Sequence, residues 1–262
     1  IDPPFALRFL RLLNGADLTI ENCEIREGDA STDQSVAAGG ALLAIDLSDL
    51  KLTLRNVRFR LNRARAGGAV YVETSSTCVG CQVTIERSLF SQNVAEYDNQ
   101  ATAGGFYAGL SDDATLEVRR SASYSNSAGA GVGAAAVAGG ASIWPFGDST
   151  LVMEDIDLQG NALVGPAAGA WPATALDIHS GFSGSFALDR LYFFGNDWSE
   201  DGVDVRLEHN SPAPASARNL LVATGARRGA EVLNWGAGAS ALSHWTVTQH
   251  VERGLRLWRN AG

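Results

Sequence analysis

Residues Leu52–Glu73 read LTLRNVRFRLNRARAGGAVYVE, and this stretch decides the fold. An apolar-alternating run (Leu52, Leu54) is followed by a polar pair (Arg55, Asn56) and a second run (Val57, Phe59). Then come an asparagine (Asn62), a gap, and a glycine pair (Gly67, Gly68) that opens a third run. Each run is too short to bury its apolar face alone and has to lean on copies of itself, which is the physical meaning of a repeat of this size. The copies are present. The Phe59 position is held in turn by Ile25, Phe59, Phe90, Ser123, Leu158, Phe193, Val222 and Val247. The Asn62 position is held by Gly28, Asn62, Asn93, Asn126, Asn161, Asn196, Gly225 and His250. Successive intervals are 34, 31, 33, 35, 35, 29 and 25 residues. Apolar residues alternate with period two, and Gly, Ser and Asn interrupt them every few residues, so no helical segment fits inside a repeat. The pattern predicts an all-β solenoid of about eight coils, with three short parallel strands per coil.

Coil one is expected over Leu18–Asp46, coil two over Leu52–Glu73, coil three over Val83–Leu110 and coil four over Leu116–Trp144. Coil five follows over Leu151–His179 and coil six over Phe186–Glu208, with two shorter coils at about 215–235 and 240–258. Residues 1–17 form a cap or the last strand of an upstream coil, and the whole of 1–262 reads as one β-helix domain, expected to be a fragment of a longer chain. A chain of 262 residues with 29 Gly and only 7 Pro suits a turn-dense solenoid with one continuous core. A net charge of −9 argues against nucleic acid, whose phosphates call for basic patches. No run of 18 apolar residues marks a membrane-spanning segment.

Inward columns follow from the alignment. One reads Ile20, Leu54, Ile85, Val118, Met153, Leu188, Ala217, Leu242, and a second Cys23, Val57, Ser88, Ser121, Ile156, Leu191, Leu220, Trp245. The third strand is expected to turn Leu43, Tyr71, Ala108, Ile143, Ile178, Val205, Val232 and Leu257 inward. Asn62, Asn93, Asn126, Asn161 and Asn196 read as a structural ladder inside the turn, each amide bonding the same amide one coil up.

Two motifs carry a family likeness. FRLN at Phe59–Asn62, FSQN at Phe90–Asn93 and FFGN at Phe193–Asn196, with GGAL at Gly39, GGAV at Gly67 and GGAS at Gly139, resemble the FxxN and GGA(I/L/V) elements of bacterial polymorphic outer-membrane proteins. More broadly the chain is similar to the pectate-lyase-like right-handed parallel β-helices, over coils one to six. The resemblance implies that fold and a secreted or cell-surface location, often as a passenger or adhesin. It carries no active site, because the motifs are structural.

Cys78 and Cys81 form CVGC in the connection after coil two, a disulfide candidate in a secreted protein. A zinc site would need two further ligands, and no other His or Cys lies nearby in sequence. Cys23 falls on an inward column and reads as a small buried apolar residue.

Candidate chemistry collects on the outward columns of the third strand. One is expected to read Leu42, Val70, Tyr107, Ser142, Asp177, Asp204, Glu231, Arg256, and its neighbour Ala44, Val72, Gly109, Trp144, His179, Arg206, Leu233, Trp258. Asp177, Asp204 and Glu231 would then occupy adjacent rungs beside His179 and Arg206, with Trp144, Trp258, Trp235 and Tyr107 as ligand-stacking rings. Three readings stand: an enzyme, either glycosidase or lyase, a binding module, and a plain solvated face. Asp177 and Asp204 one rung apart fit a retaining glycosidase, and Asp177 and Glu231, ~9.6 Å apart, an inverting one. A lyase would use Arg206 as base, with Ca²⁺ on the carboxylates. A binding module would hold polysaccharide by stacking without turnover, or a partner protein, and a plain solvated face would simply have its acids neutralised by Arg206 and Arg256. A separate acidic run, Asp197, Glu200 and Asp201 with Asp204, reads either as a calcium site or as a solvated turn.

Overall fold

The computed structural model describes residues 8–12, 15–32, 37–47, 49–76, 78–97, 100–130, 135–164, 173–180, 184–196, 202–223, 228–233, 240–250 and 253–258. All of its named elements are strands, and every strand pairing is parallel between successive coils. They form three sheets: a long sheet of 11 strands, a kinked sheet of 10 and a short sheet of four. The protein is an all-β parallel solenoid. No helix among the described residues is long and apolar enough to cross a membrane.

Coil two shows how the sequence makes a turn. In Lys51–Arg60, Leu52, Leu54, Val57 and Phe59 are buried while Arg55, Asn56, Arg58 and Arg60 face out. The alternation slips one residue at Asn56, whose φ of 53° places it in the left-handed region and kinks the strand. The same corner is taken by Asn22, Arg87, Arg120, Asp155, Arg190, Asn219 and His244, with φ from 49° to 57°. A second left-handed corner follows at Leu61, just before Asn62, and recurs at Glu27, Gln92, Ser125, Gly160, Gly195 and Gln249. The chain then crosses the short sheet (Arg63–Ala64), passes Gly67 and Gly68, and enters the long sheet (Val70–Thr74).

Both inward columns of the kinked sheet run in the expected register through all its rungs. The Phe59 column likewise points inward, with Phe59 and Phe90 stacked at a centroid distance of 5.0 Å. Where the second column holds serine, the hydroxyl serves the backbone: Ser88 Oγ accepts from Val57 N, and Ser121 Oγ from Ser88 N. Cys23 departs from its expected place and is exposed, because its strand, Asp17–Arg26, has a neighbour on one side only among the described residues. Cys78 and Cys81 are joined as a disulfide.

The asparagine ladder is continuous. Each Oδ1 accepts both the backbone N–H and the Nδ2 of the asparagine one coil earlier: Asn93 from Asn62 (3.0 and 2.9 Å), Asn126 from Asn93 (2.9 and 2.8 Å), Asn161 from Asn126 (3.2 and 3.1 Å) and Asn196 from Asn161 (2.9 and 3.1 Å). Each Nδ2 also donates to a carbonyl of the preceding coil, at Ile25, Phe59, Phe90, Ser123 and Leu158. All five amides are buried.

Two expectations are corrected here. Among the described residues the short sheet has strands only at Arg63–Ala64, Val94–Tyr97, Ser127–Ala130 and Ala162–Val164, and the solenoid has about five turns rather than eight coils of three strands. The third-strand columns also shift. Gly68 stacks on Gly104, not Gly67 on Gly104, so the glycine pair slides by one residue between coils two and three. A bulge between Ala173 and Leu176 moves coil six by a further step. The inward column is therefore Ala44, Val72, Ala108, Ile143, Ile178, Leu207, Val232, Leu257.

Thiol titration of the native protein should find one reactive group, Cys23, rising to three after reduction; three before reduction would contradict the pairing of Cys78 with Cys81. Asn126→Ala strands the buried N–H of Asn93 and the carbonyl of Phe90, and is expected to cost roughly 3–5 kcal/mol in urea unfolding. Arg60→Ala, on the exposed face of the kinked sheet, should stay within about 0.5 kcal/mol.

Candidate functional site

The outer face of the long sheet is where the sequence concentrates carboxylates and tryptophans, and the observed register rearranges them. The outward column reads Leu43, Tyr71, Tyr107, Ser142, Asp177, Arg206, Glu231, Arg256. Arg206 stands between Asp177 and Glu231, where Asp204 was expected. Asp204 lies two residues upstream, outside this column, and contacts Thr174 Oγ1 (2.8 Å) and His250 Nδ1 (3.7 Å). The three acids thus do not form an adjacent triad.

Charges alternate along the column, and the acids lie beneath the surface. Asp177, Asp204 and Glu231 are 1%, 0% and 0% exposed. Arg206 Nη1 lies 3.6 Å from Asp177 Oδ1, and its Nη2 donates to Glu208 Oε2 at 2.6 Å. Arg256 Nη1 donates to Glu231 Oε1 at 2.8 Å. Burying a carboxylate with no partner would be costly, and the interleaved arginines offset that cost. Burial pushes the Asp177 carboxyl up to about 6, although the Arg206 guanidinium pulls the other way.

Glu208, absent from the sequence-based site, joins the cluster because the register places it where Arg206 was expected. It pairs across the sheet with His179, whose Nδ1 lies 3.0 Å from Glu208 Oε2, and it accepts from Asn210 Nδ2 at 2.9 Å. The His179 contact, with help from Asn210 and Arg206, pulls its carboxyl down to about 2 against the effect of burial. His179 in turn lies against Trp144 (5.2 Å) and Phe146 (6.3 Å). Trp144 Nε1 donates to Ser142 Oγ at 2.9 Å. Further along, Tyr107 stacks on Tyr71 at 4.5 Å and lies over Gly109, where a Cβ would stand 3.3 Å from its hydroxyl. Burial pushes the Tyr107 phenol up to about 12.

The structure therefore brings together Tyr107, Trp144, His179, Asp177 and Arg206, and separates Asp204 from them. Trp258 reaches the same sheet through its backbone, paired with Leu233. Its side chain, Trp235 and the calcium candidates Asp197, Glu200 and Asp201 lie outside the described residues. Among the described residues no group of three or more His, Cys, Asp or Glu is placed to hold a metal ion. Chemically, the arrangement is a half-exposed run of rings beside a neutralised ion chain. Compared with family models, curated proteins and solved structures, the chain gives no match.

A folded carboxyl near 6 against an unfolded one near 4 means that the unfolded chain releases its proton first as pH rises, so stability falls between about pH 4 and 6. Two units correspond to roughly 3 kcal/mol at this buried site. Glu208 acts in a different window: its contribution is present above its ordinary range and is lost as pH falls towards 2. Urea midpoints at pH 4, 5, 6 and 7 should show the Asp177 slope in the wild type and its loss in Asp177→Asn; parallel profiles would contradict the assignment.

Proposed function

We propose that the chain is a right-handed parallel β-helix of the polymorphic outer-membrane protein type, acting outside the cytoplasm as a surface or passenger module that binds glycan. The observation that carries the binding reading is the run of rings Tyr71, Tyr107, Trp144 and His179 across successive rungs of one face, held in place by Glu73, Gly109, Ser142 and Glu208. Half-exposed rings along one face suit the C–H faces of sugars, as aromatic side chains do wherever they meet a ligand that is apolar on one face and polar at its edges. The FxxN and GGA motifs support the family reading, since the asparagines form the ladder and the glycines the close coil-to-coil approach. The Cys78–Cys81 disulfide supports an oxidising, extracytoplasmic location.

A hydrolase or lyase on this face has one feature in its favour, the raised carboxyl of Asp177. Against it, Asp177 is 1% exposed and engaged by Arg206, and a general acid has to touch the oxygen it protonates. Binding without turnover is the reading we adopt.

On a glycan array the wild type is expected to retain at least one glycan class that Trp144→Ala and Tyr107→Ala lose by tenfold or more. Release of reducing ends or unsaturated products from neutral or acidic polysaccharides, with or without a chelator, would overturn the binding reading in favour of an enzyme.

A further inference from the structure

The outer face of the kinked sheet carries a second aromatic column, separate from the charged one. In successive rungs it reads Ser91, Tyr124, Gln159, Phe194, Ala223, beside Leu89, Ala122, Asp157, Tyr192, Leu221. Rings one rung apart stack face to face in this protein, as Tyr71 on Tyr107 at 4.5 Å and Phe59 on Phe90 at 5.0 Å. Tyr124 and Phe194 are two rungs apart, ~9.6 Å at the usual strand spacing. That separation leaves room for one intervening ring, and none of the described residues supplies one.

Gln159 occupies the middle rung, and its amide is turned aside. Its Nε2 lies 2.9 and 2.8 Å from the two oxygens of Asp157, and the Tyr124 hydroxyl donates to the same carboxylate at 2.6 Å. What remains is a cavity of about 370 Å³ lined by Tyr124, Ser125, Gln159, Gly160, Phe194 and Gly195. Gly160 and Gly195 take the second left-handed corner, where earlier coils carry Leu61 and Gln92, and their missing side chains leave the mouth open. Phe194 and its stacked neighbour Tyr192 are 42% and 38% exposed, an unusual cost for two large rings without a ligand.

The polar lining narrows the ligand. Gln159 Oε1 and Ser125 Oγ make no hydrogen bond among the described residues, so an acceptor and a hydroxyl face the gap. None of the six lining residues is charged, and the nearby Asp157 carboxylate is engaged from below. An acidic sugar would meet no cation among the described lining residues, whereas a neutral one can place its apolar faces on the rings and its hydroxyls on Gln159 and Ser125. We infer that this cavity is a subsite for one neutral pyranose ring, slotted between Tyr124 and Phe194 in a glycan lying along the solenoid axis. The inference rests on the glycan-binding reading but places contact on a different face.

The test is isothermal titration calorimetry on the full chain carrying Trp144→Ala, so that the signal comes from this face. Cellohexaose, mannohexaose and chitohexaose are the probes, and polygalacturonate is the acidic comparator. At least one neutral probe should bind and polygalacturonate should not. Adding Tyr124→Ala or Phe194→Ala should weaken binding tenfold or more. Gln159→Phe fills the slot with the chain's own ring and should abolish binding while leaving the melting temperature equal or higher. Neutral probes that bind the wild type but not the Trp144→Ala protein would overturn this site and leave the glycan reading standing; no binding by either would overturn both. Binding unchanged by Tyr124→Ala and Phe194→Ala would also overturn the site. Self-association in sedimentation that Phe194→Ala abolishes would assign the slot to a second copy and overturn it as well.

Discussion

Each coil of this solenoid hands its backbone hydrogen bonds to the coil above, and at the tightest corner an asparagine side chain makes the transfer. A strand turned through a left-handed corner loses the regular ladder just where it is buried, and an unpaired buried N–H or carbonyl costs on the order of 1–3 kcal/mol. The short amide side chain carries a separate acceptor and donor, so it satisfies an N–H and a carbonyl of the coil before it together. Stacked from Asn62 to Asn196, the amides also bond one another, and every rung constrains the vertical position of the next. The ladder runs one rung past the last described strand of the short sheet, Ala162–Val164, to Asn196. Beyond Asn196 the position passes to Gly225 and His250, and His250 faces Asp204 two rungs back.

That constraint explains which parts of the fold could be read from the residues. The Phe59 and Asn62 positions sit on either side of the corner, so aligning them also aligned the kinked sheet, and the register of its inward columns came out correctly through every rung. The glycine pair is a weaker mark. What the structure needs is a residue without a Cβ where Gly40, Gly68, Gly104 and Gly139 approach the next backbone, and the second glycine falls on either side of it. Counting from the pair therefore misplaced the long sheet in coils one and two. In coil six the error came from the bulge near Ala173, which has no residue signature. The left-handed corners were illegible for a related reason. Asn22, Asn56 and Asn219 suit that region, but Arg87, Arg120 and Arg190 are held there by the rungs around them.

The misplaced register decided the reading of the candidate site. With Asp204 in the column, three acids stack; with Arg206 there, the charges alternate and the face is close to neutral. Glu208 became visible only through the same shift, and with it the anchor that holds His179 against Trp144. A one-residue slip on a half-buried strand exchanges its two faces, and a two-residue slip keeps the face but changes every vertical neighbour. Site chemistry in a solenoid is made of vertical neighbours, so it is more sensitive to register than the fold is.

Outer-face charges do for alignment what they do little for stability. On the kinked sheet Arg55 bridges Glu21 and Glu86, Arg119 reaches Glu154, and Arg190 gathers Glu154, Asp155 and Asp189. Exposed pairs of this kind contribute about 0–1 kcal/mol each, yet a slipped strand would set like charges opposite one another. The aromatic columns lie within this charged lattice and inherit its spacing. A rung is close to the thickness of a stacked ring, so adjacent aromatics close on each other, as Tyr71 and Tyr107 do, and leave no room for a further ring between them. Aromatics separated by one polar rung cannot close. Tyr124 and Phe194 are held apart by the same backbone hydrogen bonds that build the core, with Gln159 drawn aside to Asp157, and the gap between them is a consequence of the fold's own period.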